Sequence, residues 1–176
     1  MENSKIIWGL YKINDYVIYR KNGICQIVDI VEQNFCGQGK KLYYVLKSVY
    51  DENVKVFVPL SSELEKGLKK VYSIDEIHLL IEESDKVTNQ WISDGKQRAA
   101  MFENILKSGD TKQILWMIKA IGLYKNELEG QNKKLKAYDT KYLKLGENVV
   151  SGEFAFALNI PRSDVVQYII DYIEKK

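Results

Sequence analysis

The sequence predicts a two-domain β + α protein, with a small antiparallel barrel first and an all-helical bundle second. Three observations carry that reading. Between Tyr11 and Pro59 the chain runs in short Val-, Ile- and Tyr-rich stretches broken by Gly, Asn and Asp. From about residue 91 the apolar positions recur with a helical period instead. Between the two lies Glu82-Glu83-Ser84-Asp85-Lys86, polar and without period.

The barrel strands follow from their turns. Asn14-Asp15 precedes Tyr16-Val17-Ile18-Tyr19, and Lys21-Asn22-Gly23 precedes Ile24–Val31. Cys36-Gly37-Gln38-Gly39 leads into Lys41–Lys47, and Asp51-Glu52-Asn53 into Val54–Pro59. Four such strands form a small antiparallel barrel, and a proline directly after a Val-rich run suits an outer strand. Alternation along Val56-Phe57-Val58 turns Phe57 outward if the valines face the core. Ser73 and Glu76 have the spacing of a capping box, so a helix is expected over 73–82, with Ile74, Ile77 and Ile81 sealing the barrel or its neighbour.

Helices are expected near 91–107, 111–125, 131–150 and 162–174. Ser108-Gly109-Asp110 ends the first and caps the second. Ile114, Leu115, Met117, Ile118, Ile121 and Tyr124 make the second nearly apolar all round, which suits a bundle centre. In the third, Leu135, Tyr138, Tyr142, Leu145 and Val149 share one side, while Lys133, Lys136, Lys141 and Lys144 fan across the other. The fourth buries Val165, Val166, Ile169 and Ile173. The domains are therefore expected at 1–83, including the closing helix and a short N-terminal extension in which Trp8 covers the barrel end. A hinge follows at 84–90, and the helical domain spans 91–176.

Composition narrows the function classes. The chain has 176 residues, 45% of them apolar, with 26 basic against 24 acidic side chains. The first 82 residues carry eleven of each sign, so the net charge of +2 lies wholly in the helical half. That half concentrates five Lys and one Asp between Lys133 and Lys144. The single His, two isolated Cys and absence of a phosphate loop argue against an enzyme, so no catalytic, metal or cofactor residue is assigned. No apolar run approaches the roughly twenty residues of a membrane span, and the N-terminus does not read as a signal peptide. A cytoplasmic protein is expected. Trp116, Cys25, Cys36 and His78 read as packing residues.

The barrel carries a recognisable pattern. Ile13-Asn14-Asp15-Tyr16-Val17-Ile18-Tyr19, Asn22-Gly23, Tyr43-Tyr44-Val45-Leu46, Val56-Phe57-Val58-Pro59 and Gly67-Leu68-Lys69-Lys70-Val71 resemble the CarD/CdnL family of bacterial transcription regulators. The same barrel occurs as the polymerase-interacting domain of transcription-repair coupling factor. In the second half Thr88-Asn89-Gln90-Trp91, Arg98, Leu106-Lys107-Ser108-Gly109-Asp110 and Gly152-Glu153-Phe154-Ala155 resemble the family's helical domain. The chain reads as a divergent member: Asp94 interrupts the basic stretch after Trp91, and Phe57 stands where relatives often have Arg.

The resemblance implies a Tudor/SH3-like barrel that docks on the β subunit of RNA polymerase, partly through an outer strand. It implies a helical domain that contacts promoter DNA near the upstream edge of the −10 element, largely without reading sequence, and modulates open-complex stability. Trp91 matches the family's minor-groove wedge, and Lys96 and Arg98 the basic stretch after it. With the lysine fan, the expected DNA-contacting set is Trp91, Lys96, Arg98, Lys133, Lys136, Lys141 and Lys144. The expected polymerase-contacting set is Gln33, Phe35, Lys47, Lys55 and Phe57. A monomer, associated with RNA polymerase on the nucleoid, completes the expectation. Neither a membrane nor a small-molecule substrate is expected as a partner. The alternative is a docking adaptor whose helical domain binds another protein rather than DNA.

Overall fold

The computed structural model describes residues 10–19, 22–37, 39–60, 67–87 and 91–175, without the side chains of Cys36 and Asp85. The extension carrying Trp8 lies outside them. The chain divides into two compact units, at residues 1–71 and 72–176.

The first unit is a five-stranded antiparallel sheet. Its strands are β1 (Tyr16–Tyr19), β2 (Ile24–Gln33), β3 (Lys41–Ser48), β4 (Lys55–Pro59) and β5 (Leu68–Lys70), in the order β4-β3-β2-β1-β5. No ladder joins β4 to β5 among the described residues, so both are sheet edges there. Strand β5, three residues after the Gly67 turn, is absent from the four-strand expectation because so short a run has no readable period. One face carries the core: Val17, Cys25, Ile27, Tyr44, Leu46, Val58, Leu60 and Leu68. Burial without compensation pushes the Cys25 thiol up to about 11.

A bulge in β2 explains how that core continues. The register against β3 slips between Ile27 and Asp29, leaving Val28 as the additional residue. The slip reverses the alternation, so Cys25 and Ile27 face inward before it and Ile30 after it. On β4, Val58 is fully buried and Val56 packs on the core, which turns Phe57 to the outer face.

The second unit contains α1 (Ile74–Asp85), α2 (Gly95–Ser108), α3 (Thr111–Gly130), α4 (Ala137–Leu158) and α5 (Val165–Glu174). Helix α1 begins at the capping box: the Ser73 hydroxyl accepts from the Glu76 amide and the Glu76 carboxylate accepts from the Ser73 amide. Of the two expected destinations, the barrel or its neighbour, it takes the second. Ile77 and Ile81 are buried in the helical core, beside Phe102, Ile114, Met117, Ile121, Val150 and Phe154. Ile74 is exposed instead of sharing that face. The expected hinge at 84–90 is displaced accordingly. Ser84 is buried inside α1, donating its hydroxyl to the Ile81 carbonyl, and the boundary between units falls at 71/72. Periodicity shows that a helix buries a stripe, but not against which neighbour.

Helix α2 starts later than expected because Asp94 caps it, accepting from the Gln97 amide at 2.8 Å. Gly109 then closes it in the left-handed conformation, φ 65°, and Asp110 caps α3. Helix α3 is the centre of the unit, with Ile114, Leu115, Trp116, Met117 and Ile121 buried. Helix α4 departs most from the reading. It begins at Ala137, not 131, and its buried face holds Asp139, Gly146, Val150 and Phe154. Leu145, expected inside, is exposed. At Gly146 a Cβ would sit 2.9 Å from both Ile118 and Met117, so only glycine allows this approach of α3 and α4. No described helix is long and apolar enough to cross a membrane.

Candidate functional site

On the sheet, the outer face at the β4 edge gathers an aromatic group. Phe57 lies opposite Val45, and Tyr43 opposite Pro59, in the β3–β4 register. Phe35, from the single turn after β2, packs edge-on against Tyr43 at 4.9 Å and against Phe57 at 5.3 Å between ring centroids. Tyr43 is thereby covered, whereas Phe35 and Phe57 remain 42% and 41% exposed. The Lys55 ammonium stands 5.8 Å from the Phe57 ring, and Lys47 lies directly opposite Lys55. Two like charges facing each other across a ladder are unfavourable. Neither is in an ion pair among the described residues. The arrangement offers, among the described residues, an outer strand, two exposed rings and two ammonium groups. Gln33 is exposed and pairs in register with Lys41, away from Lys47 and Lys55 along the ladder.

In the helical unit the expected DNA-contacting residues separate into two kinds. Arg98 is 2% exposed, and it is bound rather than available. Its Nε and Nη2 donate to the two carboxylate oxygens of Asp139, at 3.0 and 2.9 Å, and Asp139 is wholly buried. Nη2 also donates to the Tyr138 hydroxyl, and Nη1 to the carbonyls of Ile92 and Ser93. Hydrogen bonding to the Asp139 carboxylate, opposed by burial, holds the guanidinium above its already high range. Every nitrogen of the Arg98 fork is thus engaged inside the unit.

Trp91 belongs to the same construction. Its ring lies 4.4 Å from the Arg98 guanidinium carbon, 4.2 Å from the Tyr124 ring and 6.2 Å from Phe102. It is half-buried against the helical core and lines an open groove of about 620 Å³ with Trp116, Ala120, Leu123 and Tyr124. Asp94, two residues past the Arg98-held carbonyl of Ile92, serves as the α2 cap.

The lysines are the second kind, and all five are exposed. Lys141 and Lys144 occupy one side of α4's first half, and Lys136 is its N-cap residue. Lys133 precedes the helix and donates to Gln131. Gly95 lies so close to Tyr138 that a Cβ would collide with its hydroxyl, which brings Lys96 to the start of α4. The residues that the sequence reading assigned to neither set are Asp139, Tyr138, Tyr124 and Tyr43. Asp139 had a signal: it is the one acid among the lysines, seven residues before Gly146 and eleven before Val150 on the buried side.

Comparison with known proteins bears on the sheet unit. The family model described as CarD-like/TRCF RID domain matches residues 11–72. These residues are similar to a CarD-like/TRCF RID domain. Members of that family are RNA polymerase-interacting domains. The match ends where the helical unit begins, one residue past the boundary. No curated protein matches the chain significantly.

Proposed function

We propose that the protein is a transcription regulator that docks on the β subunit of RNA polymerase through its RID domain. Its helical unit then contacts promoter DNA at the upstream edge of the −10 region and modulates open-complex stability. The observation that carries the docking half is the β4 edge: an outer strand that presents Phe57 beside Phe35, within residues matching the RID family. Exposed aromatic anchors with a polar surround are the usual energetic centre of a protein interface. The opposed Lys47 and Lys55 favour an acidic partner surface, which would relieve their mutual repulsion.

The DNA half rests on the lysines. Lys96, Lys133, Lys136, Lys141 and Lys144 supply backbone neutralisation with no base readout, in keeping with contact that is largely independent of sequence. Trp91 supplies the apolar ring for an opened base step. The experiment is the lifetime of heparin-challenged open complexes formed by holoenzyme with the full chain. Trp91→Ala should abolish the effect on lifetime while leaving polymerase binding intact, and a lifetime unchanged by that variant would refute the DNA half.

One observation favours the second reading, a docking adaptor whose helical unit binds protein. The groove beside Trp91 exposes Leu123 to 60% along one side of α3. Salt-insensitive recruitment of the full chain to promoter complexes would support it, because phosphate contacts weaken steeply with salt.

A further inference from the structure

Trp91 is held in two different ways. Arg98 is fixed by Asp139 and Tyr138, and it grips the carbonyls of Ile92 and Ser93 while stacking on the Trp91 ring. The backbone on the C-terminal side of Trp91 is thereby anchored, and the anchor is buried. Tyr124 is different. It is half-exposed on the surface of α3 at the wall of the open groove, and its ring meets Trp91 at 4.2 Å with a 34° tilt.

We propose that Tyr124 is a releasable cover for Trp91 and Arg98 its fixed anchor, so that this pair sets how available the tryptophan is. The inference rests on Trp91 acting at promoter DNA. An indole packed on Tyr124 is not free to stack elsewhere, and an aromatic pair is comparable in strength to a base–aromatic stack. The seat and the opened step therefore compete for one ring. Because Arg98 holds the carbonyls of Ile92 and Ser93, the exchange needs only side-chain rotation. Removing the cover shifts the population toward the available ring without creating a new contact. From the usual worth of an aromatic pair the shift is about three- to tenfold. Loss of Trp91 and loss of Tyr124 should thus act with opposite signs, whereas two ordinary packing residues would act with the same sign.

The test uses the full chain labelled with 5-fluorotryptophan, with the Trp91 fluorine line assigned by its absence in Trp91→Phe. In Tyr124→Leu that line should move and gain a larger H2O/D2O solvent shift. The protein's effect on open-complex lifetime should become about three- to tenfold stronger at a given protein concentration. Tyr124→Phe, which keeps the ring, should behave as the unaltered protein in both measurements. An unmoved Trp91 line in Tyr124→Leu, or a weakened effect on lifetime with the fold intact, overturns the cover. If Trp91→Ala leaves the lifetime unchanged, the DNA reading itself fails and the cover falls with it, whatever the fluorine line shows.

Discussion

Replacing Asp139 by alanine strands a guanidinium that has nowhere to go. Arg98 and Asp139 are 2% and 0% exposed, joined by two hydrogen bonds at 3.0 and 2.9 Å. Arg98 is held above its already high range, so it cannot shed its charge within any accessible pH. Breaking one side of such a buried pair costs about 3–5 kcal/mol. For a unit of this size that is a fall in melting temperature of roughly 10 °C or more. Scanning calorimetry of the full chain is the assay, read on the transition of the helical unit. The double variant Arg98→Met/Asp139→Leu removes both charges and should recover most of the loss, since an apolar pair of similar volume can replace a buried ion pair. Recovery should stop about 1–3 kcal/mol short, because the carbonyls of Ile92 and Ser93 lose their donor. A loss under about 1 kcal/mol in Asp139→Ala would refute the reasoning. So would a double variant no better than the single.

The remaining predictions concern packing, titration and reactivity. Gly146→Val should cost about 2 kcal/mol in chemical denaturation, since its Cβ would stand 2.9 Å from Ile118 and Met117. Burial raises the folded-state carboxyl of Glu147 above its ordinary range, so it favours folding most when protonated and loses that contribution as pH rises through the folded value. Glu147→Gln should therefore raise the melting temperature slightly at pH 7, with the gain gone at pH 3. In a Cys36→Ser background, Cys25 should resist a thiol reagent at pH 8 until the protein is unfolded, because its thiol is fully buried and raised to about 11.

Legibility in the sequence tracked how local the determining physics was. The capping box at Ser73 and Glu76 and the Ser108-Gly109-Asp110 junction are local hydrogen-bond chemistry, and they stand where the sequence put them. So does the outward parity of Phe57, which alternation alone decides. The bulge at Val28 is not local, since it depends on the facing strand. Helix α4 was misread in part because two of its core positions are an acid and a glycine, chosen by Arg98 and by the α3 side chains they meet. The beginning of that helix was also misplaced. Asn132 takes a left-handed turn, φ 55°, and the Lys133 amide closes on the Leu128 carbonyl, which ends α3 and leaves 131–136 outside either helix. The burial of Arg98 was hidden for the same reason, since its carboxylate partner Asp139 lies far away in the chain.

The most direct test of the central claim is calorimetric titration of the full chain against an isolated RNA polymerase β-lobe fragment, with Phe57→Asp in parallel. Phe57 is exposed and outside the sheet core, so the substitution should leave the fold intact. Binding at micromolar affinity or tighter, lost in Phe57→Asp, is the result required by docking at the β4 edge. A folded chain that does not bind, or a Phe57→Asp variant that binds as well as the unaltered protein, would contradict it.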